Sequence, residues 1–84
     1  MSGAQCFVYI IRSRRDPGRY YTGLTSDVIA RLAAHNLGRS THTAKFTPWK
    51  LVVVVEFAEE RRAIDFEKYL KSGSGAAFSK RHLR

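Results

Sequence analysis

Residues 6 to 12 alternate with no polar face: Phe7, Tyr9 and Ile11 project one way, Cys6, Val8 and Ile10 the other. A strand covered on both sides carries this pattern, so a buried first strand is expected there. Ser13 to Arg19 contains Asp16-Pro17-Gly18, turn chemistry that returns the chain as a second strand over residues 19 to 24. The register of this hairpin is not readable. If Tyr9 and Tyr21 pair, or are offset by an even number, both phenols leave the same face of the sheet. Leu51 to Phe57 is a β-branched run, hence a third, well-buried strand.

Helical spacing takes over elsewhere. Thr25 or Ser26 can cap a helix near residues 27 to 37, with Asp27 at its positive end and Gly38 after Leu37 as the stop. Val28, Ile29, Leu32 and Ala33 form its expected buried stripe, with Arg31 and His35 together at one edge. Residues 38 to 49 show no apolar period and read as a basic loop ending at Pro48-Trp49. Glu59 and Glu60 open a second helix that runs to about Lys71, and Gly73 and Gly75 break it before a short basic helix near residues 76 to 82. The predicted fold is α/β (α+β): a three-stranded antiparallel sheet flanked by helices, in a single domain over residues 1–84.

Glu67 is the residue out of place. It falls inside the apolar arc of Ala63, Ile64, Phe66, Tyr69 and Leu70, where a carboxylate needs a partner. Lys71 at i+4, an arginine of the first helix, or a divalent cation would each serve.

Charge sets the class of partner. Fifteen Lys and Arg against seven Asp and Glu give a formal +8 and a pI near 10.3, which points to nucleic acid. Residues 28 to 55 carry Arg31, Arg39, Lys45 and Lys50 with no carboxylate, and residues 71 to 84 carry Lys71, Lys80, Arg81 and Arg84 with none. The lone Cys6 forms no internal disulfide and reads as a buried, inert thiol, so a reducing cytoplasmic setting is the default. No export signal or bilayer-spanning run is present, and no membrane partner is expected. Cys6, His35, His42 and His82 lack zinc-ligand spacing, and Gly73-Ser74-Gly75 lacks the pattern of a nucleotide loop.

Tyr9 in Phe7-Val8-Tyr9, Tyr21 in Tyr21-Thr22-Gly23, Arg31 and His35 four apart on one helix, and Glu67 on another together resemble the GIY-YIG endonuclease family, over roughly residues 6 to 72. Singly, each has an ordinary structural explanation: a strand tyrosine, an arginine stem covering apolar surface, and for Gly23 a bend or close backbone approach at the strand end. Jointly, they are hard to explain by packing. The resemblance implies a small metal-dependent endonuclease acting on nucleic acid, DNA in the first instance, in repair or processing. Tyr9 would take the proton of the attacking water, its phenol pKa lowered by His35 or the metal field, and Tyr21 would orient water or phosphate. Arg31 would grip the scissile phosphate, and Glu67 would hold one Mg²⁺ or Mn²⁺. Arg39, Lys45, Lys50 and Lys71 would bind flanking backbone, while Asn36 would fix the helix end.

Phe7 and Thr22 replace a glycine and an isoleucine of the family's two motifs, and no asparagine follows Glu67. The chain shows no separate DNA-recognition domain, so target choice would fall to substrate shape, a homodimer or a protein partner. A non-catalytic nucleic-acid-binding module, or an adaptor, would keep the same fold without turnover.

Overall fold

The computed structural model describes residues 6–84. They form β1 (Cys6–Ser13), β2 (Tyr20–Thr25), α1 (Val28–Asn36), β3 (Trp49–Phe57), α2 (Glu60–Leu70) and α3 (Gly73–His82), with a 3-10 turn at Ala44–Phe46. The sheet is antiparallel and its order is β2-β1-β3. The first strand is therefore the middle one, and both of its faces are covered by packed elements, which is why neither is polar. Val8 and Ile10 pack with Ala63 and Leu70 beneath α2 and α3, while Tyr9 and Ile11 pack with Trp49, Leu32 and Phe46 on the α1 side. Burial of each such aliphatic chain contributes on the order of 1.5–3 kcal/mol.

The hairpin register places Ile11 opposite Tyr21 and Tyr9 opposite Gly23. The offset is even, and the two phenols share one face with ring centroids 6.2 Å apart. The buried Ser13 hydroxyl shapes the turn between β1 and β2: it accepts from the amides of Arg15 and Asp16 and donates to the Phe46 carbonyl at 2.6 Å.

Asp27 is the N-cap of α1, its Oδ1 accepting from the Ala30 amide at 3.0 Å. The buried stripe of this helix differs from the sequence expectation. Ile29 is 84% exposed and Ala33 is also exposed, whereas Val28 and Leu32 turn inward and His35 is fully buried. The helix is rolled to put positions 28, 32 and 35 on the sheet, because a buried imidazole with both nitrogens bonded costs little to place there.

β3 begins at Trp49, two residues before the expected Leu51. Asn36 accounts for the extension: its Oδ1 accepts from the Trp49 amide and its Nδ2 donates to the Trp49 carbonyl. This fixes the end of α1, as expected of Asn36, and ties it to the sheet. α3 starts at Gly73, earlier than the expected residue 76. Gly73 and Gly75 lie inside its first turn, capped by Ser72, whose Oγ accepts from the Gly75 amide. Gly75 is packed so closely on the Tyr69 carbonyl that a Cβ would overlap it, so glycine here permits a tight α2–α3 corner. Among the described residues, no helix is long and apolar enough to cross a membrane.

Candidate active site

Tyr9 projects from the middle strand toward α1, and its ring crosses over Gly23 on β2, where any Cβ would overlap the phenol. Gly23 thus serves close approach of a side chain, not a bend. The phenol oxygen ends 2.8 Å from Nε2 of His35 and 3.4 Å from Nε of Arg31. Arg31 and His35 reach it together because they are one helical turn apart on α1. Tyr21 closes the group from β2, its ring centroid 5.0 Å from that of His35.

The proton positions follow from partner chemistry. Thr43 Oγ1 faces the Ser40 carbonyl, to which it can only donate, and lies 2.8 Å from Nδ1 of His35. Nδ1 therefore donates to Thr43, and Nε2 is left as the acceptor for the Tyr9 hydroxyl. Trp49 Nε1 donates to the Thr43 carbonyl at 2.9 Å and holds the loop in place. Thr43 sits among the serines and threonines of residues 40 to 43, and no pattern in the chain distinguishes it. Only the fold shows that it sets the tautomer of His35.

Burial dominates the ionisation of this group. It raises the Tyr9 pKa above its ordinary value, the Arg31 hydrogen bond opposes this, and the charges of Tyr21 and Glu67 raise the pKa further. The expected lowering of the phenol pKa is therefore not met in the free protein: burial outweighs what Arg31 supplies. His35 is shifted down, first by burial and then by the Arg31 charge, and stays neutral. Arg31 is shifted up, chiefly by its bond to Tyr9. In the resting protein the proton stays on the phenol, facing a base that can accept it.

Glu67 approaches from α2, on the opposite side of the sheet, with its side chain 17% exposed and one oxygen on Lys71 Nζ. Lys71 in turn lies 5.7 Å from the centroid of the Tyr21 ring. The pair thus borders the β2 edge beside the tyrosines, and Lys71 partners Glu67 instead of standing alone on the surface. Tyr9, Tyr21, Arg31 and His35 are brought together, with Glu67 adjoining through Lys71. Arg39, Lys45 and Lys50 are exposed and lie outside this cluster.

Comparison with known proteins agrees with the geometry. Residues 5–81 match the model of the GIY-YIG catalytic domain. A UPF0213 protein of Streptococcus pneumoniae is 35% identical over 80% of this chain and 67% of its own length, and one from Bacillus cereus is 40% identical over 79% and 67%. A structure-specific endonuclease subunit SLX1 homologue of Giardia intestinalis is 30% identical over 74% of this chain but only 18% of its own length. The solution NMR structure of a UPF0213 protein from Bacillus halodurans superposes with a TM-score of 0.56 at 28% identity, covering 90% of this chain and 80% of that one. With the paired tyrosines, Arg31 and His35 gathered on one face of a β2-β1-β3 sheet, the chain belongs to the GIY-YIG catalytic domain family.

Proposed function

We propose that the protein is a small metal-dependent endonuclease that hydrolyses phosphodiester bonds in DNA, in repair or processing. The observation that carries this reading is the Tyr9 hydroxyl held between neutral His35 and cationic Arg31, 2.8 and 3.4 Å away. Such a group can do what the reaction needs. His35 Nε2 receives the phenol proton, the Tyr9 oxygen then accepts the proton of the attacking water, and Arg31 neutralises charge on the non-bridging oxygens. Arg31 is also what keeps a buried phenolate tolerable, since its bond and charge both stabilise the ionised form.

The residues fit one divalent cation of the hard, oxygen-seeking kind. Among the described residues no three of His, Cys, Asp and Glu gather as a metal cage; Glu67, a carboxylate at the β2 edge beside the tyrosines, would be the protein's own donor, as Mg²⁺ is commonly held by one or two carboxylates plus substrate phosphate. Bound at Glu67, Mg²⁺ or Mn²⁺ would supply positive charge for the leaving oxygen. Lys71 holds the carboxylate meanwhile.

Three observations favour a second reading, a nucleic-acid-binding module without turnover: Tyr9 is 1% exposed, its pKa is raised, and Glu67 is already ion-paired. Incubation with linear, flapped and branched DNA, with Mg²⁺, Mn²⁺ or chelator, separates the two. Metal-dependent cuts that vanish in Tyr9→Phe while binding persists support the nuclease. Salt-sensitive binding that never yields cuts supports the module.

A further inference from the structure

The face of the sheet away from Tyr9 carries a second cationic arrangement. Tyr20, next to Tyr21 in β2, points to that opposite face, where its ring packs against the core under α2 and α3. Arg84, just beyond α3, stacks its guanidinium 4.3 Å from the Tyr20 centroid, and Arg12, opposite Tyr20 in the register, lies 5.9 Å from it. Arg12 commits one N–H, Nε, to the Pro17 carbonyl. Among the described residues the ion pairs are Asp16–Arg19, Glu59–Arg62 and Glu67–Lys71, none of which involves Arg12 or Arg84.

A cavity of about 300 Å³ opens beside this stack between β2 and α3, lined by Tyr20, Thr22, Ser79 and Arg84. Arg19 also borders it, but its guanidinium is engaged by Asp16 and by the Phe46 ring. Ser79, in the wall, has a buried hydroxyl with no hydrogen-bond partner, a state that is rare in native proteins. On the other side of Arg12 a cavity of about 230 Å³ is lined by Arg12, Arg14 and Lys50. Arg84, Arg12 and Lys50 thus form a line of cations, the first two beside the Tyr20 ring and the last two register partners on β1 and β3.

We infer that this line is a second phosphate-binding site, which takes the backbone of a nucleic-acid arm other than the one lying on the Tyr9 face. A planar guanidinium with free N–H groups, backed by a ring, suits a tetrahedral anion through paired hydrogen bonds, and the Thr22 hydroxyl adds a donor. The molecule is small, 18 Å along its shortest axis, and two arms diverging from a junction can each contact a separate face of it. A single linear duplex on the Tyr9 face leaves the back face empty. The inference rests on the nucleic-acid reading above and narrows its substrate class to branched structures.

Two experiments test it, neither requiring turnover. In the first, inorganic phosphate is titrated into the full chain and backbone amides are followed by NMR. Saturable shifts are expected at Tyr20, Thr22, Ser79 and Arg84, lost in Arg84→Ala and kept in part in Arg84→Lys. In the second, the affinities of Tyr9→Phe protein for branched and linear DNA are compared with and without Arg84→Ala. The change should weaken branched DNA about tenfold and reduce its salt slope by about one, leaving linear DNA within twofold. Phosphate shifts confined to the Tyr9 face would overturn the site. Equal losses on both DNAs, or phosphate binding with no effect on branched DNA, would overturn the arm assignment. Because the Arg84 side chain makes no hydrogen bond or ion pair among the described residues, Arg84→Ala should keep the parent's thermal midpoint within the ordinary surface range. Absence of metal-dependent cleavage would defeat the nuclease reading and leave both results interpretable.

Discussion

The Tyr9 ring occupies the space in which a side chain on Gly23 would begin. The pairing is direct: Tyr9 and Gly23 are register partners on neighbouring strands, so the sheet itself delivers the phenol to His35. Alanine is ordinarily the better strand residue, since glycine loses more chain entropy on folding. At this position the order reverses. Gly23→Ala is expected to push the phenol out of line and lower cleavage about 100-fold, as an ångström of misplacement commonly does. The check is cleavage rate alongside the thermal midpoint, with exposed Ser26→Ala as a nearby control that keeps activity.

Tyr9→Phe removes one hydroxyl and keeps the ring packing with Tyr21. Loss of a positioned proton acceptor costs about 10²–10⁴ in rate, so turnover should fall within that range. Affinity for DNA should stay within about threefold, since the group acts on water rather than on the strand. A fall in affinity that matches the fall in rate would assign Tyr9 to binding.

Thr43→Val keeps the shape of the side chain and deletes the acceptor for Nδ1 of His35. The donor left unpaired in a buried site should cost about 1–3 kcal/mol of stability. Turnover should fall at least tenfold as the favoured tautomer is lost, with Thr43→Ser restoring most of both. Urea denaturation together with the ¹⁵N shifts of the His35 ring tests this directly: the tautomer signature should change in the valine variant alone.

His35 also sets a pH dependence. Its folded pKa lies below the ordinary value of 6.5, so at higher pH both folded and unfolded forms are neutral and the group is silent. As pH falls through about 6.5 the unfolded chain takes up a proton that the folded one refuses, and stability is lost until the lower folded pKa is reached. Comparing the parent with His35→Gln between pH 7.5 and 5 should show that slope in the parent only. The acid limb of cleavage should have its midpoint below 6.5, because protonated His35 cannot accept from Tyr9.

Lys71→Met should free the Glu67 carboxylate from its ammonium partner. The Mn²⁺ concentration for half-maximal cleavage is expected to fall several-fold, while Glu67→Ala should abolish metal-dependent cleavage and leave DNA binding in place. An unchanged metal dependence in Lys71→Met would show that the ion pair does not compete with the cation.

Much of this architecture is visible in the chain, and the gaps have physical causes. The two apolar faces of β1 mark a strand covered on both sides, Asp16-Pro17-Gly18 marks the hairpin and the β-branched run from Leu51 marks a third strand, so the three-stranded sheet is legible although its order is not. Tyr9, Tyr21, Arg31 and His35 are legible as chemistry through their joint resemblance to the GIY-YIG motifs. The face that α1 buries is not, since pattern reasoning assigns Ile29 inward and His35 to the rim, while the hydrogen bonds to Tyr9 and Thr43 reverse both. Thr43 and the Tyr20–Arg84 stack are silent for a related reason. Their roles come from contacts between residues far apart in the chain, Tyr20 with Arg84 most of all, which no local period encodes.

The central position of β1 has a further consequence for when activity can arise. Tyr9 leaves the ribosome before β3 does, yet its strand needs both flanks, and the second flank is supplied only by Trp49–Phe57. A nascent chain that has made the hairpin and α1 still lacks the strand that fastens Asn36 and Trp49 around Thr43. Cutting ability should therefore emerge in one step with the finished domain, and under denaturant it should disappear along the same curve as the sheet.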